Sequence, residues 1–269
     1  MNTNLEPAIR VRVDPTNPGQ FFACCGLLEL AERLWKGGEG WFEKGVFYLR
    51  PFGSGEDRTL SSLLHEISKT PLRQIDPEDD FSSPMELPSP FALRIDWWKD
   101  EGTGGNQLKV WAGSMRSVRI ARAMLATLSR TELQNEGLFD YGAVVYDPQE
   151  PEKKVEPFYF DARRGSNALA IDIGFMPDSL SMTTVAYPTV EFLCLVGLQR
   201  FRPIPTDMRR VFDYFTWRVP LTTEVAPLAA CGLLPQASSR GYRFQIAFRT
   251  DQRKHKAFTP ATPLERSES

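Results

Sequence analysis

Cationic side chains recur in this chain at spacings that suit anion binding. Arg116, Arg119 and Arg122 repeat every three residues, Arg163 and Arg164 run into Gly165, Ser166 and Asn167, and Lys254 and Lys256 flank His255. Each guanidinium can donate a bidentate, charge-assisted pair to phosphate oxygens, so such groups are candidates for a nucleic-acid backbone. Near the start, Arg10 and Arg12 alternate with Ile9, Val11 and Val13, which places both arginines on the polar face of one predicted strand. Asn17 and Gln20 follow in a Pro-Gly turn at a predicted helix start, where unpaired amides and a partial positive charge suit a phosphate or a base edge. Each group has a plainer reading: backbone capping for Asn17 and Gln20, a solvated helix face for Arg116, Arg119 and Arg122, and a hairpin turn for the 163–167 loop.

Bond-breaking chemistry is thinly represented. His65 and His255 are the two histidines, in different contexts, and no HExxH, Walker A or GxSxG pattern occurs. Asp76, Glu78, Asp79 and Asp80 sit in a Pro-rich stretch that is poorly suited to a precise metal geometry. Cys24, Cys25, Cys194 and Cys231 lack CxxC spacing and lie in apolar surroundings, as small buried hydrophobes do. The residues therefore predict a binding protein with no cofactor, no metal and no catalytic site. The competing reading is a metal-independent endoribonuclease in which His255, with Lys254 or Lys256, activates a 2′-hydroxyl.

The elements that must position these residues form a mixed pattern. A strand ending at Val13 precedes an apolar helix through Trp35, then a strand over Trp41 to Arg50 and a short helix over Leu60 to Ser68 capped by Thr59 or Ser61. The acidic, Pro-rich stretch from Pro71 to Pro90 reads as a surface loop, and Lys99 to Gly105 as a functional turn. A strand at Phe91–Trp98 and a helix at Trp111–Arg130 come next, then strands at Tyr141–Tyr146, Val155–Phe160 and Leu169–Ile173. The end of the chain reads as a helix at Thr189–Arg200 and strands at Phe212–Val219 and Tyr242–Arg249. Three segments, ACCGLL, CLVGL and AACGLL, place Gly26, Gly197 and Gly232 after small or sulfur-bearing residues, which permits close backbone approach and reads as repeated helix-on-sheet packing or an old duplication. The fold class is α+β, with antiparallel or mixed sheets carrying helices, as one large domain or as two packed halves, residues 1–135 and 136–250, for which a ferredoxin-like form is one option, and a polar tail at 251–269. With 32 basic and 34 acidic residues, a nucleic-acid surface must be a local patch. No apolar run approaches the ~20 residues that span a bilayer, and the start lacks the character of a signal peptide, so a cytoplasmic place is expected.

The stretch DPTNPGQFFACCGLLELAERLW at 14–35, the Trp41-Phe42 pair, DIGFMPDSLSM at 172–182 and YPTVEFLCLVGLQRFRP at 187–203 resemble the compact large-subunit-like component of type I-U (I-G) CRISPR Cascade effector complexes. The resemblance implies a nucleoprotein subunit in antiviral defence. Its implied partners are CRISPR RNA, target double-stranded DNA with its flanking motif, the backbone subunits and a recruited helicase-nuclease, with no membrane. In such guided systems base pairing reads sequence while protein reads flanking motif and shape, a task that needs cations and amides without catalysis.

Overall fold

The computed structural model describes residues 6–53, 55, 57–79, 81–99, 106–111, 115–130, 136–164, 185–249 and 255–265. Strand β1 (Ile9–Arg12) alternates buried and exposed residues as its period requires, and helix α1 (Pro18–Trp35) follows. Pro18 opens α1 where a missing amide hydrogen costs nothing, and the helix ends at Lys36 in the left-handed region. Strands β2 (Gly38–Glu43) and β3 (Val46–Pro51) make a hairpin whose turn needs positive φ at Lys44 and Gly45, and β1 pairs on its far side in the order β1-β3-β2. Helix α2 (Leu60–Lys69) starts in a reciprocal capping box between Thr59 and Ser62. A second antiparallel sheet joins β4 (Arg73–Gln74), β5 (Met85–Leu87) and β6 (Leu93–Ile95) in chain order.

Helix α3 (Ser117–Thr127) is followed by a 3-10 turn at Ala162–Arg164 and by helix α4 (Pro188–Gly197), every residue of which is buried. The third sheet contains β7 (Ile204–Pro205), β8 (Val211–Trp217), β9 (Ser238–Phe248) and β10 (Lys256–Phe258), ordered β10-β9-β8-β7, with β11 (Thr262–Pro263) also on β9. A five-residue helix α5 (Ala226–Ala230) leads into β9. The protein is thus a mixed α/β structure of antiparallel sheets with packed helices.

The α1–α4 pair is its axis. A Cβ on Gly26 would sit 2.9 Å from the Leu193 carbonyl carbon, and one on Gly197 would sit 2.8 Å from the Gly26 nitrogen, with the Leu193 and Phe22 carbonyl oxygens closer still. The two glycines therefore let the backbones touch, which is helix-on-helix packing. Gly232 does something else: it takes φ +68 after α5. One hydrophobic core runs from Ile9 to Ala261, and Phe21, Phe42, Tyr214 and Trp217 bring the first and third sheets onto α1. Trp217 Nε1 donates to the Gly40 carbonyl at 2.7 Å, and Gly40 bridges to Leu221, so the stretches before and after residue 135 share this core.

Several predicted elements are corrected. Trp41 to Arg50 is two strands, because Lys44-Gly45 supplies a turn. Within the acid-rich 71–90 stretch, β4 and β5 pair through Gln74 and Met85, and Met85 and Leu87 are core residues. Around Tyr141–Tyr146 and Val155–Phe160 the described chain makes isolated bridges rather than strands; Leu169–Ile173 and the loop residues 100–105 lie outside the described residues. The polar tail is structured in part, since Ala257 and Phe258 are buried and β10 and β11 complete the third sheet.

Candidate nucleic-acid interface

The turn at α1 is a buried polar knot. Asn17 is 3% and Gln20 5% exposed, so neither reaches a base edge. Asn17 Nδ2 donates to Asp161 Oδ1 at 2.9 Å, while its Oδ1 accepts from the Ala162 amide at 3.1 Å and caps α1 through the Gln20 amide. Gln20 Oε1 accepts the Asp14 amide at 2.8 Å. The capping reading holds, because a strand-to-helix turn docked on a distant segment must satisfy its own amides. Gly19 permits the docking: a Cβ there would lie 2.7 Å from the Phe160 carbonyl carbon.

Arg163 belongs to the same knot. Its Nε and Nη2 clasp the fully buried Asp161 at 2.9 and 2.6 Å, Nη2 also donates to the Phe139 carbonyl, and the guanidinium lies 3.3 Å from the centre of the Tyr187 ring. An arginine so engaged does not enter a groove. Arg164 gives its carbonyl to Arg249 Nε at 3.2 Å, and its own Nε is buried without a partner; Asn167 lies outside the described residues. Beneath them, Glu191 is fully buried and both its oxygens accept amides, from Phe160 at 3.2 Å and Asp161 at 3.1 Å. Burial outweighs those bonds and, with Asp161 nearby, pushes the Glu191 carboxyl up to about 8.

The predicted stripe on α3 is likewise engaged. Arg119 Nε binds the buried Asp147 at 2.5 Å and its Nη2 reaches Glu150 at 3.6 Å, while Arg122 Nε donates to the Leu72 carbonyl at 3.1 Å. Arg116 is exposed at the start of the helix, beside an open cleft of about 210 Å³ that Arg119, Lys154 and Glu156 also line. Of the three cations lining this cleft, Arg119 is already held by Asp147 and Glu150, and Glu156 stands among them. On β1, Arg10 faces Glu6 at 3.4 Å and Arg12 faces Asp140 at 3.3 Å, both pairs at the surface.

Positive charge gathers instead at the end of the third sheet. Strand β10 pairs with β9 so that Lys256 stands opposite Phe248. Along β9, Tyr242, Phe244 and Ile246 point into the core, and Phe248 continues their register past the core's edge, leaving it 36% exposed. The β7–β8 turn folds over it: the Arg210 guanidinium lies 4.8 Å from the centre of the Phe248 ring, and the Ile246 amide donates to the Arg210 carbonyl at 2.9 Å. Arg210 holds φ 61, an uncommon backbone state for a side chain of its size. Arg209 and Met208 are exposed at the tip, with the acid Asp207 beside them.

Burial, and after it the charges of Arg210, Lys109 and Arg209, pull the Lys256 ammonium below the ordinary lysine value. Lys109 is itself lowered, by burial and by Lys99, although Asp79 opposes the shift; its Nζ donates to Ser82 Oγ at 2.7 Å. Arg210 and Lys256 thus flank a surface phenylalanine, and Lys109 and Arg209 add positive charge that Lys256 feels. Of these the sequence reading found Lys256 alone; Lys254 lies outside the described residues. The Arg209-Arg210 pair was the one local signal, but nothing nearby in sequence links it to Phe248 or Lys109.

Among the described residues, no cluster of His, Cys, Asp and Glu is suited to a metal ion. Cys24, Cys25 and Cys194 are buried free thiols, raised by desolvation. No family model matches the chain, and no curated protein matches it. That finding corrects the descriptors that resemblance had attached: the CRISPR subtype, large-subunit, antiviral-defence and flanking-motif labels, and the cytoplasmic one, have no matching family or relative behind them. What stands is that, among the described residues, no helix is long and apolar enough to cross a membrane.

Proposed function

We propose that the chain is a non-catalytic, nucleic-acid-contacting subunit of a CRISPR RNA-guided DNA surveillance complex, touching guide RNA or target DNA through the end of its third sheet. The observation that carries the nucleic-acid reading is the placement of Arg210 and Lys256 at exposed Phe248, with Arg209 exposed in the same turn as Arg210. Crowding like charges around a half-buried lysine opposes folding, and a bound phosphodiester relieves that opposition. The guided-complex part rests on the resemblance of residues 14–35 and 187–203. The run β1-α1-β2-β3-α2 has the order of the first five elements of a ferredoxin-like half, while β4, which follows, joins the second sheet.

A second reading, a metal-independent endoribonuclease, is favoured by one observation: His255 Nδ1 is shielded from water without a partner, next to Lys256. Isolation of the tagged chain from the cells that encode it, with sequencing of bound RNA, tests both. The first reading expects short guide RNA and partner chains, absent from an R209A/R210A/K256A variant. Nucleic-acid-free protein with no affinity for oligonucleotides at low salt overturns it. Cleavage of repeat RNA in chelator, abolished by His255→Ala, establishes the second.

A further inference from the structure

We propose that the end of the third sheet takes an unpaired stretch of nucleic acid, with one base stacked at the Phe248–Arg210 edge and flanking phosphates on Arg209 and Lys256. This rests on the nucleic-acid reading above and names its substrate form. Three observations favour a single strand over a duplex. First, Phe248 keeps the inward register of Tyr242, Phe244 and Ile246 yet emerges at 36% exposure, so an apolar ring is offered where only an unstacked base has a matching face.

Second, Arg210 already lies 4.8 Å from the centre of that ring, so a planar cation and an aromatic share one platform, and a base can stack on either. Met208, 55% exposed in the same turn, adds a polarisable side chain beside them. Third, the helix arginines that a phosphate track along a duplex would call on, Arg119 and Arg122 of α3, are held by Asp147, Glu150 and the Leu72 carbonyl. Asp207 is exposed at the tip of the turn and Asp79 is paired with Lys99 at 3.1 Å, so the site accepts a strand that brings charge to Arg209, Arg210 and Lys256.

RNA and DNA single strands share this chemistry, and the experiment separates them. Fluorescence anisotropy of the full chain is measured with labelled single-stranded RNA and DNA 12-mers, with the same 12-mers carrying abasic sites throughout, and with a duplex, over a salt series. The expected result is single-strand binding that Phe248→Ala weakens about 10-fold with an unchanged salt slope, and that Phe248→Tyr retains. The abasic 12-mers bind as much more weakly, and Phe248→Ala adds nothing further on them. Lys256→Gln and Arg209→Ala each lower the salt slope by about 0.7 for every phosphate left without its cation. A preference between the RNA and DNA arms identifies the physiological strand. If Phe248→Ala binds as the parent does while Lys256→Gln and Arg209→Ala weaken, the stacking proposal fails and phosphate binding stands. Equal duplex and single-strand affinity also overturns it. No effect from any of these variants overturns the nucleic-acid reading itself.

Discussion

Replacing Gly197 by alanine tests whether α1 and α4 truly meet backbone to backbone. Two effects of opposite sign compete. Alanine favours a helix over glycine by about 1 kcal/mol, because glycine gives up more backbone freedom on folding. Against this, the new Cβ would stand 2.8 Å from the Gly26 nitrogen and nearer still to the Phe22 carbonyl oxygen, whereas ordinary contact begins at 3.4 Å. The opposing atoms are backbone, so no rotamer change makes room; the helices must part by on the order of 1 Å. Overpacking of this kind costs about 1 to 3 kcal/mol, and at a rigid interface the upper end applies. The net expectation is a destabilisation of about 2 kcal/mol, or roughly 4 to 8 °C in Tm for a domain of this size. Gly26→Ala should behave alike. The double variant should be less destabilised than the two singles together, since both insert into one gap. Calorimetry of the three proteins is the assay, and a Tm at or above the parent's for Gly197→Ala would refute the close approach.

Three further outcomes follow from the buried polar groups. Glu191 titrates at about 8 when folded and near its ordinary value of 4.5 when unfolded, so between those values the native state holds the extra proton. Stability should therefore fall as pH rises from about 5 to 9, by up to a few kcal/mol. Glu191→Gln should flatten that slope in a Tm-against-pH series; an unchanged slope would show that another group causes it. Asn17→Ala strands the Ala162 amide and one bond to Asp161, and should cost about 1 to 3 kcal/mol in a urea titration. Oligonucleotide affinity measured on the folded fraction should stay unchanged. Arg119→Ala leaves the buried Asp147 without its cation and should lower stability, yet leave the salt slope of binding where it was.

Local order was legible where one segment fixes it. The alternation of Ile9, Val11 and Val13 marked β1, Asn17-Pro18 marked the start of α1, and of the two expected caps of α2, Thr59 and Ser61, the structure uses Thr59. The glycines of ACCGLL and CLVGL pointed to close backbone approach, expected against a sheet; the assembled fold places Gly26 and Gly197 against one another between two helices instead. What could not be read was the use of each arginine. Whether Arg119 meets a phosphate or Asp147, and whether Arg163 enters a groove or clasps Asp161, depends on where acids and carbonyls arrive from other parts of the chain. Burial of Asn17 and Gln20 has the same origin, in the docking of residues 160–162 on Gly19. Phe248 continues the alternation of Tyr242, Phe244 and Ile246, and its 36% exposure depends on what the tertiary structure packs over that end of β9.

The most direct measurement is photocrosslinking of bound RNA or single-stranded DNA to the intact chain, with the modified peptides located by mass spectrometry. Adducts concentrated on Met208–Arg210, Phe248 and Lys256 are expected, with none on Asn17, Gln20 or Arg163. Adducts confined to other surfaces, or none under conditions where the assembled complex holds its nucleic acid, would contradict the assignment of this sheet end as the binding surface.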